Sequence, residues 1–227
     1  MRLLNSTFNY KQLGKGLFFL FIAYFTYLMW LITIQYIPID FEVAFLRIKQ
    51  NEIKLLHYQI AFFTHVYTSI FVLILGLFQF SDCIRIRFVK FHRTAGKVYV
   101  ALVLGLAGPS GLIMGYYANG GWFTQISFCL LAIFWIWFTY LAYKHIRKGQ
   151  VQKHKNFMLR SYALTLSAIS LRLFKWLIVI VFELPPMDTY YIVAWAGWLV
   201  NLGIAEVIVF SQLSLLNKTK SKVEIKS

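Results

Sequence analysis

The sequence predicts an all-α polytopic membrane helix bundle of six transmembrane helices, with the N- and C-termini cytoplasmic. Three observations predict it. The 227 residues are 59% hydrophobic and 19% aromatic but only 14% charged, far from a soluble average. Six apolar stretches, at 16–37, 58–80, 95–117, 122–143, 157–182 and 190–213, each reach the roughly 20 residues that a helix needs to cross a bilayer. Most of the 23 Lys and Arg fall at four places: the start (Arg2, Lys11, Lys15), the second gap (Arg85, Arg87, Lys90, Arg93, Lys97), the fourth gap (Lys144, Arg147, Lys148, Lys153, Lys155) and the tail (Lys218, Lys220, Lys222, Lys226). With six spans all four lie on one face, which the positive-inside rule makes cytoplasmic.

Such a layout leaves short loops and no separate soluble domain, so residues 1–227 form a single membrane domain in a bacterial inner membrane. The net charge of +15 belongs to a basic cytoplasmic rim that meets anionic lipid headgroups. Nucleic acid is the weaker reading, because no basic groove interleaved with aromatics is present. Cys83 and Cys129 are badly placed to pair and form no CxxC, which supports neither a disulfide framework nor a thiol redox motif.

The first stretch is too long for a signal-peptide core and is read as a retained span ending at Pro38. The outer connector, 38–57, carries Phe41, Ala44, Phe45 and Ile48 at helical spacing between charges. That pattern suits an amphipathic helix on the membrane surface with Asp40 as its N-cap. A plain connector is the simpler reading of it, and a lid over an outer cavity the sharper one. In the third span Pro109 should kink the outer half, and the Gly111/Gly115 spacing permits close helix approach. Tyr116, Tyr117, Trp122, Tyr190, Tyr191, Trp195 and Trp198 form an outer aromatic belt. The tail, 216–227, is polar, basic and expected to be mobile.

Ionisable groups inside spans are costly and mark either a partner or a site. Helical spacing gathers His57, Thr64, His65, Thr68 and Ser69 on one face of the second span, and Arg160, Ser161, Thr165, Ser167, Arg172 and Lys175 on one arc of the fifth. At 1.5 Å per residue His65 lies about 10 Å below the outer edge and Arg172 about 15 Å below it. His65, Arg172 and Lys175 are therefore expected to converge in the outer half, where Glu183 is the nearby carboxylate. Two obligate cations with one peripheral acid leave a deficit that water, a lipid phosphate or an anionic or quinone-like ligand would fill. Snorkelling of Arg172 and Lys175 is the structural alternative. Nearer the cytoplasm, Arg160 and Glu206 match in depth and are expected to form a structural ion pair, although a lone membrane Glu is also the best candidate for carrying a proton.

Two blocks open spans at the cytoplasmic rim: His92-Arg93-Thr94-Ala95-Gly96-Lys97-Val98-Tyr99, and His154-Lys155-Asn156-Phe157-Met158-Leu159-Arg160-Ser161-Tyr162-Ala163. With Gly76-Leu77-Phe78-Gln79-Phe80, Gly120-Gly121 and Leu171-Arg172-Leu173, they resemble the signatures of the bacterial membrane-protein family catalogued as domain of unknown function 2306. The resemblance covers a family-like core of about 57–180 and implies a polytopic membrane protein. It transfers no activity, substrate or catalytic residue. Phe157 stands where a Trp would be more usual before the Met, which keeps an aromatic there.

At the level of architecture alone, six helices with histidines near span ends also resemble the di-haem membrane cytochromes b. Haem iron needs axial ligands on facing helices, and His92 and His154 sit at equal depth on two of them, with His65 as a third candidate. Against haem b, side chains at a helix start lean back toward that terminus, which aims His92 and His154 out of the bilayer, and no histidine faces His65 or His57. No phosphate loop, HExxH or GxSxG is present, and Glu206 is the one carboxylate deep in a span, so the sequence argues against an enzyme and names no catalytic residue. The leading expectation is non-enzymatic binding, sensing or transport of a small anionic or lipid-like ligand in an outer-half pocket formed by His65, Arg172, Lys175, Thr64, Thr68 and Ser69. The alternative is a b-type haem or quinone-linked redox protein.

Overall fold

The computed structural model describes residues 10–224, and every regular element among them is helical. Helix α1 covers Tyr10–Ile34, α2 Leu56–Gln79, α3 Asp82–Arg87, α4 Val89–Leu102, α5 Gly108–Tyr116, α6 Gly121–Arg147, α7 Val151–Thr165, α8 Ser167–Phe182 and α9 Pro186–Glu224. Five stretches are each long and apolar enough to cross a membrane: Gly16–Ile34 in α1, the whole of α2, Val89–Tyr116 through α4 and α5, the whole of α6, and Pro186–Ser214 in α9. Helices α7 and α8 meet the same criterion together, bent by 42°, and counted as one broken span they make six. The chain is an all-α polytopic membrane bundle.

Two spans are interrupted, and the sequence supplies a cause for each. Between α4 and α5 the residues Val103–Ala107 form a wider π turn, directly before Pro109. Proline has no N–H to give the preceding turn and its ring crowds the carbonyl four residues back; a π turn relieves both. The α7/α8 break at Leu166 has no proline or glycine in it. Thr165 and Ser167 flank it instead, and their hydroxyls donate back to the Ser161 and Leu164 carbonyls at 3.1 and 2.6 Å. Hydroxyls that compete for helix carbonyls in this way bend helices.

The inner packing joins Val72 of α2, Tyr99 of α4, Trp135 of α6, Tyr162 of α7 and Trp198 of α9 in one buried cluster. Lipid tails are as apolar as leucine, so close packing and interhelical hydrogen bonds hold such bundles together. Tyr99 Oη lies 2.8 Å from Ser161 Oγ and 2.9 Å from Thr165 Oγ1. Trp135 Nε1 donates to Thr165 Oγ1 at 3.0 Å, and Thr139 Oγ1 meets Ser161 Oγ at 2.6 Å. This hydroxyl network ties α4, α6 and α7. Asn201 ties α9 in turn, donating to the Ala163 carbonyl at 3.1 Å and accepting from Ser170 at 2.9 Å. Trp198, expected in an aromatic belt, is instead buried, with its indole N–H on Ser127 Oγ at 2.9 Å. Trp122, Tyr116 and Tyr191 are the exposed members of that belt.

The connector departs from its expected form. It is two short 310 turns, Ala44–Ile48 and Glu52–Lys54, and no amphipathic α-helix runs through it. Asp40 accepts from the Glu42 N–H at 2.8 Å, an Asx turn and no helix cap. Of the face read as apolar, Ala44 and Ile48 are exposed, and Phe41 and Phe45, though partly exposed, lie against Phe63 and Phe62 of α2; Leu46 and Ile53 are buried with Tyr58 and Phe62, and Lys49 is buried beside them. A buried Lys49 escaped a hydrophobic count because its stem packs while its ammonium is satisfied locally. It binds Glu52 at 3.0 Å and the Tyr117 carbonyl. The connector is thereby clamped across the end of the bundle formed by α2 and α5. We call this the connector end; the opposite end, with α3 and the α6–α7 turn, is the basic end. The backbone of α9 stays helical through Glu224, and Arg2 and residues 225–227 lie outside the described residues.

Candidate functional site

Three glycines of α5 decide what can approach that helix. A Cβ on Gly115 would meet the backbone of Phe128 and Cys129 at 3.1 Å, and one on Gly108 would meet Ile136 at 2.5 Å, so both admit α6. Gly111 differs. Its hypothetical Cβ would lie 2.9 Å from His65 Cε1 and 3.0 Å from Nδ1. The Gly111/Gly115 spacing therefore serves two neighbours, and Gly111 makes room for the imidazole from α2.

That imidazole is fixed by a hydrogen bond of 2.9 Å between Nδ1 and the Ala107 carbonyl, the last residue of the π turn. A carbonyl only accepts, so Nδ1 carries the proton and Nε2 keeps its lone pair in the neutral ring. One turn on, Thr68 donates to the Thr64 carbonyl at 2.5 Å. The Thr64 and Ser69 hydroxyls have no hydrogen-bond partner among the described residues.

Arg172 stands on α8, one turn beyond Ile169, which packs with Ile70 and Leu73 of α2. From that contact α8 runs along α9 and touches α1 and α7, without packing on α5 or on the outer turns of α2. The 42° bend at Leu166 thus turns α8 away from the line of α7 and sets it beside α1 and α9. The Arg172 side chain is open to its surroundings, yet protein encloses it over the longer range at which charges act. Nη1 donates to the Ala168 carbonyl of its own helix at 2.7 Å, and no carboxylate forms an ion pair with it among the described residues. Its charge reaches both His65 and Tyr36. Burial raises the Tyr36 phenol above its ordinary pKa, against the opposing pull of the Phe45 N–H and of Arg172. Lys175 is exposed on the next turn and has no partner among the described residues. Glu183 caps α8 in the left-handed conformation, φ 51°, and pairs with neither cation. Arg172 thus acts on His65 and Tyr36 through its charge, while its hydrogen bond stays on its own helix. The sequence reading did not single out Tyr36; its place in the last turn of the first apolar stretch was the available signal.

The basic end holds the other groups. Arg160 meets Glu206 in a bidentate pair, Nε to Oε1 at 2.5 Å and Nη2 to Oε2 at 2.7 Å, while its guanidinium lies over Phe157 at 5.1 Å. The fork geometry commits both groups. His154 is not aimed outward: its Nδ1 contacts the Ala142 carbonyl at 2.9 Å. His92 does not leave the fold either, since its Nδ1 is enclosed; that atom has no partner among the described residues. His65 belongs to the connector end and does not join these two. No cluster of three or more His, Cys, Asp or Glu able to hold a metal exists among the described residues. Cys83 and Cys129 are free thiols.

The sequence model of a family described as a predicted membrane protein (DUF2306) matches residues 62–209, which takes in α2 from Phe62 through most of α9 and therefore both ends of the bundle. No curated protein and no solved structure matches the chain.

Proposed function

From the premise that this chain belongs to the DUF2306 family of membrane proteins, we propose that it binds an anionic, lipid-like molecule in the crevice between α1, α2 and α8. One observation carries the reading: a guanidinium inside a span with no carboxylate partner among the described residues, held within charge range of His65. Guanidinium does not deprotonate in proteins, so its charge must be met by water or by an anion. A phosphate or carboxylate headgroup meets it through the planar fork that makes arginine the common partner of both. Lys175, one turn nearer the connector end, adds a second cation for the same headgroup. The open Thr64 and Ser69 hydroxyls and His65 supply neutral hydrogen bonds, and the lipid-facing opening beside α8 accommodates acyl chains. Binding, sensing or transport of such a ligand is a non-enzymatic role.

The orientation that goes with this proposal puts the basic end in the cytoplasm of a bacterial inner membrane and the crevice in the outer leaflet. It is supported by the placement of Arg85, Arg87, Lys90, Lys144, Arg147 and Lys148 at one end. Reporter fusions after Lys148 report cytoplasmic exposure in this orientation, and export of that segment contradicts it. Binding is tested by melting the purified protein with added anionic or zwitterionic phospholipid. A ligand at about 100 times its Kd stabilises by about 2.7 kcal/mol, so anionic lipid raises Tm and Arg172→Ala removes the rise. Equal effects of both lipids on both proteins would refute selective binding.

A further inference from the structure

The two histidine blocks at the basic end take no part in the crevice, and their geometry converges on a second site. Residues seven apart lie on nearly the same face of an α-helix. His92 is seven residues before Tyr99 on α4, and His154 is seven before Ser161 on α7, both within unbroken α-helix. Tyr99 and Ser161 are in direct contact at 2.8 Å. The two helix registers therefore bring the histidines to the same side two turns nearer the basic end, with His92 in electrostatic reach of His154. Helix α2 packs on α4 and α6 packs on α7, while α4 and α7 form no extensive pairing, so they stand diagonally across the core.

The ring nitrogens are set up for coordination. His154 donates Nδ1–H to the Ala142 carbonyl, which fixes the tautomer and leaves the Nε2 lone pair available; metal-ligating histidines are oriented by this kind of second hydrogen bond. His92 Nδ1 is one of two enclosed side-chain nitrogen or oxygen atoms without a partner among the described residues, the other being the Trp195 indole nitrogen. The surrounding charge discriminates between occupants. Arg85 and Arg93 reach His92, and Lys155 reaches His154. Asp82, the carboxylate nearby in sequence, is engaged by Arg85 at 2.7 Å. A bare divalent ion would add positive charge to a basic rim and find only two ligands. Haem brings four nitrogen ligands of its own, asks the protein for axial imidazoles only, and carries propionate carboxylates that a rim of Arg and Lys attracts.

We infer that His92 and His154 are the axial ligands of a single haem at the basic end of the bundle, with Arg85, Arg93 and Lys155 facing its propionates. This inference stands apart from the crevice: either can fail alone.

The test uses the full chain, expressed with a haem precursor in excess and purified in detergent. An absorption spectrum is expected to show a Soret band at about one haem per chain, a sharp α band on reduction, and a low-spin ferric signal by electron paramagnetic resonance. His92→Ala and His154→Ala each abolish the low-spin signal, whereas His145→Ala and His65→Ala keep it. Because an alanine variant can fail to fold, His92→Gly is also titrated with free imidazole, which restores the low-spin spectrum if the ring is an axial ligand. A folded wild-type protein without a Soret band overturns the inference. So does a spectrum indifferent to both substitutions, or a stoichiometric metal ion bound without porphyrin.

Discussion

His65 on α2 and Ala107 on span three are joined by a 2.9 Å contact between imidazole Nδ1 and the carbonyl that closes the π turn. One side chain thus reads the backbone irregularity created next to Pro109, and Gly111 gives it the space to do so. Irregular backbone and a half-buried ring are consequently parts of one local structure.

Gly111→Ala should displace that ring. A methyl group 2.9 to 3.0 Å from the imidazole forces α2 and α5 apart or turns His65 out of its hydrogen bond. Overpacking of this kind costs about 1–3 kcal/mol, read as a lower Tm in detergent. Gly105→Ala, at a position with open space around its Cβ direction, is the control and should leave Tm unchanged or slightly raised.

Tyr99→Phe removes the shared hydroxyl of the α4–α6–α7 network and keeps the ring. Interhelical hydrogen bonds in membrane bundles are worth about 0.6 kcal/mol on average, with values up to about 1.7. The upper part of that range is expected here, because Ser161 and Thr165 are buried and both bond Tyr99. Equilibrium unfolding in mixed micelles measures it; a change below about 0.3 kcal/mol would show that Ser161 and Thr165 re-pair with each other and with Thr139.

Glu206→Gln should weaken the bundle by loosening α9 from α7, since Arg160 loses its bidentate partner. Arg160 is 16% exposed and Glu206 48%, so the pair is partly screened and a coupling of about 1 kcal/mol is expected from a double-mutant cycle. If Glu206 carries a proton in place of this structural role, Glu206→Gln will abolish a proton flux in vesicles while leaving stability intact.

Much of this architecture was legible in the sequence. The six apolar stretches fall on the helices found, from Gly16–Ile34 to Pro186–Ser214, because membrane spans announce themselves by length and hydropathy alone. Their ends ran further than the apolar count, as at 89–94 and 151–156, where stretches rich in basic and polar residues continue the helix into the basic end. Two features were illegible. The bend at Leu166 depends on which carbonyls the Thr165 and Ser167 hydroxyls choose, and spacing does not encode that choice. It also broke the single polar arc drawn from Arg160 to Lys175 into two faces, one holding Ser161 and Thr165 in the core and one holding Arg172 in the crevice. The connector was illegible too, because helical spacing of apolar residues does not signal a lysine whose ammonium is paired with Glu52 while its stem is packed. His92 and His154 were expected to point out of the bilayer, and the structure turns both into the fold. Their inward setting came from tertiary contacts with α6 and α2, which override the backward lean of side chains at a helix start.

The crevice around Arg172 is the centre of this account, and native mass spectrometry of the protein released from detergent tests it most directly. Wild-type protein is predicted to retain an anionic lipid or lipid-like acid as a discrete mass adduct that Arg172→Ala loses, with the melting profile of the apo variant otherwise preserved. Identical adducts on wild type and Arg172→Ala, both folded, would contradict it.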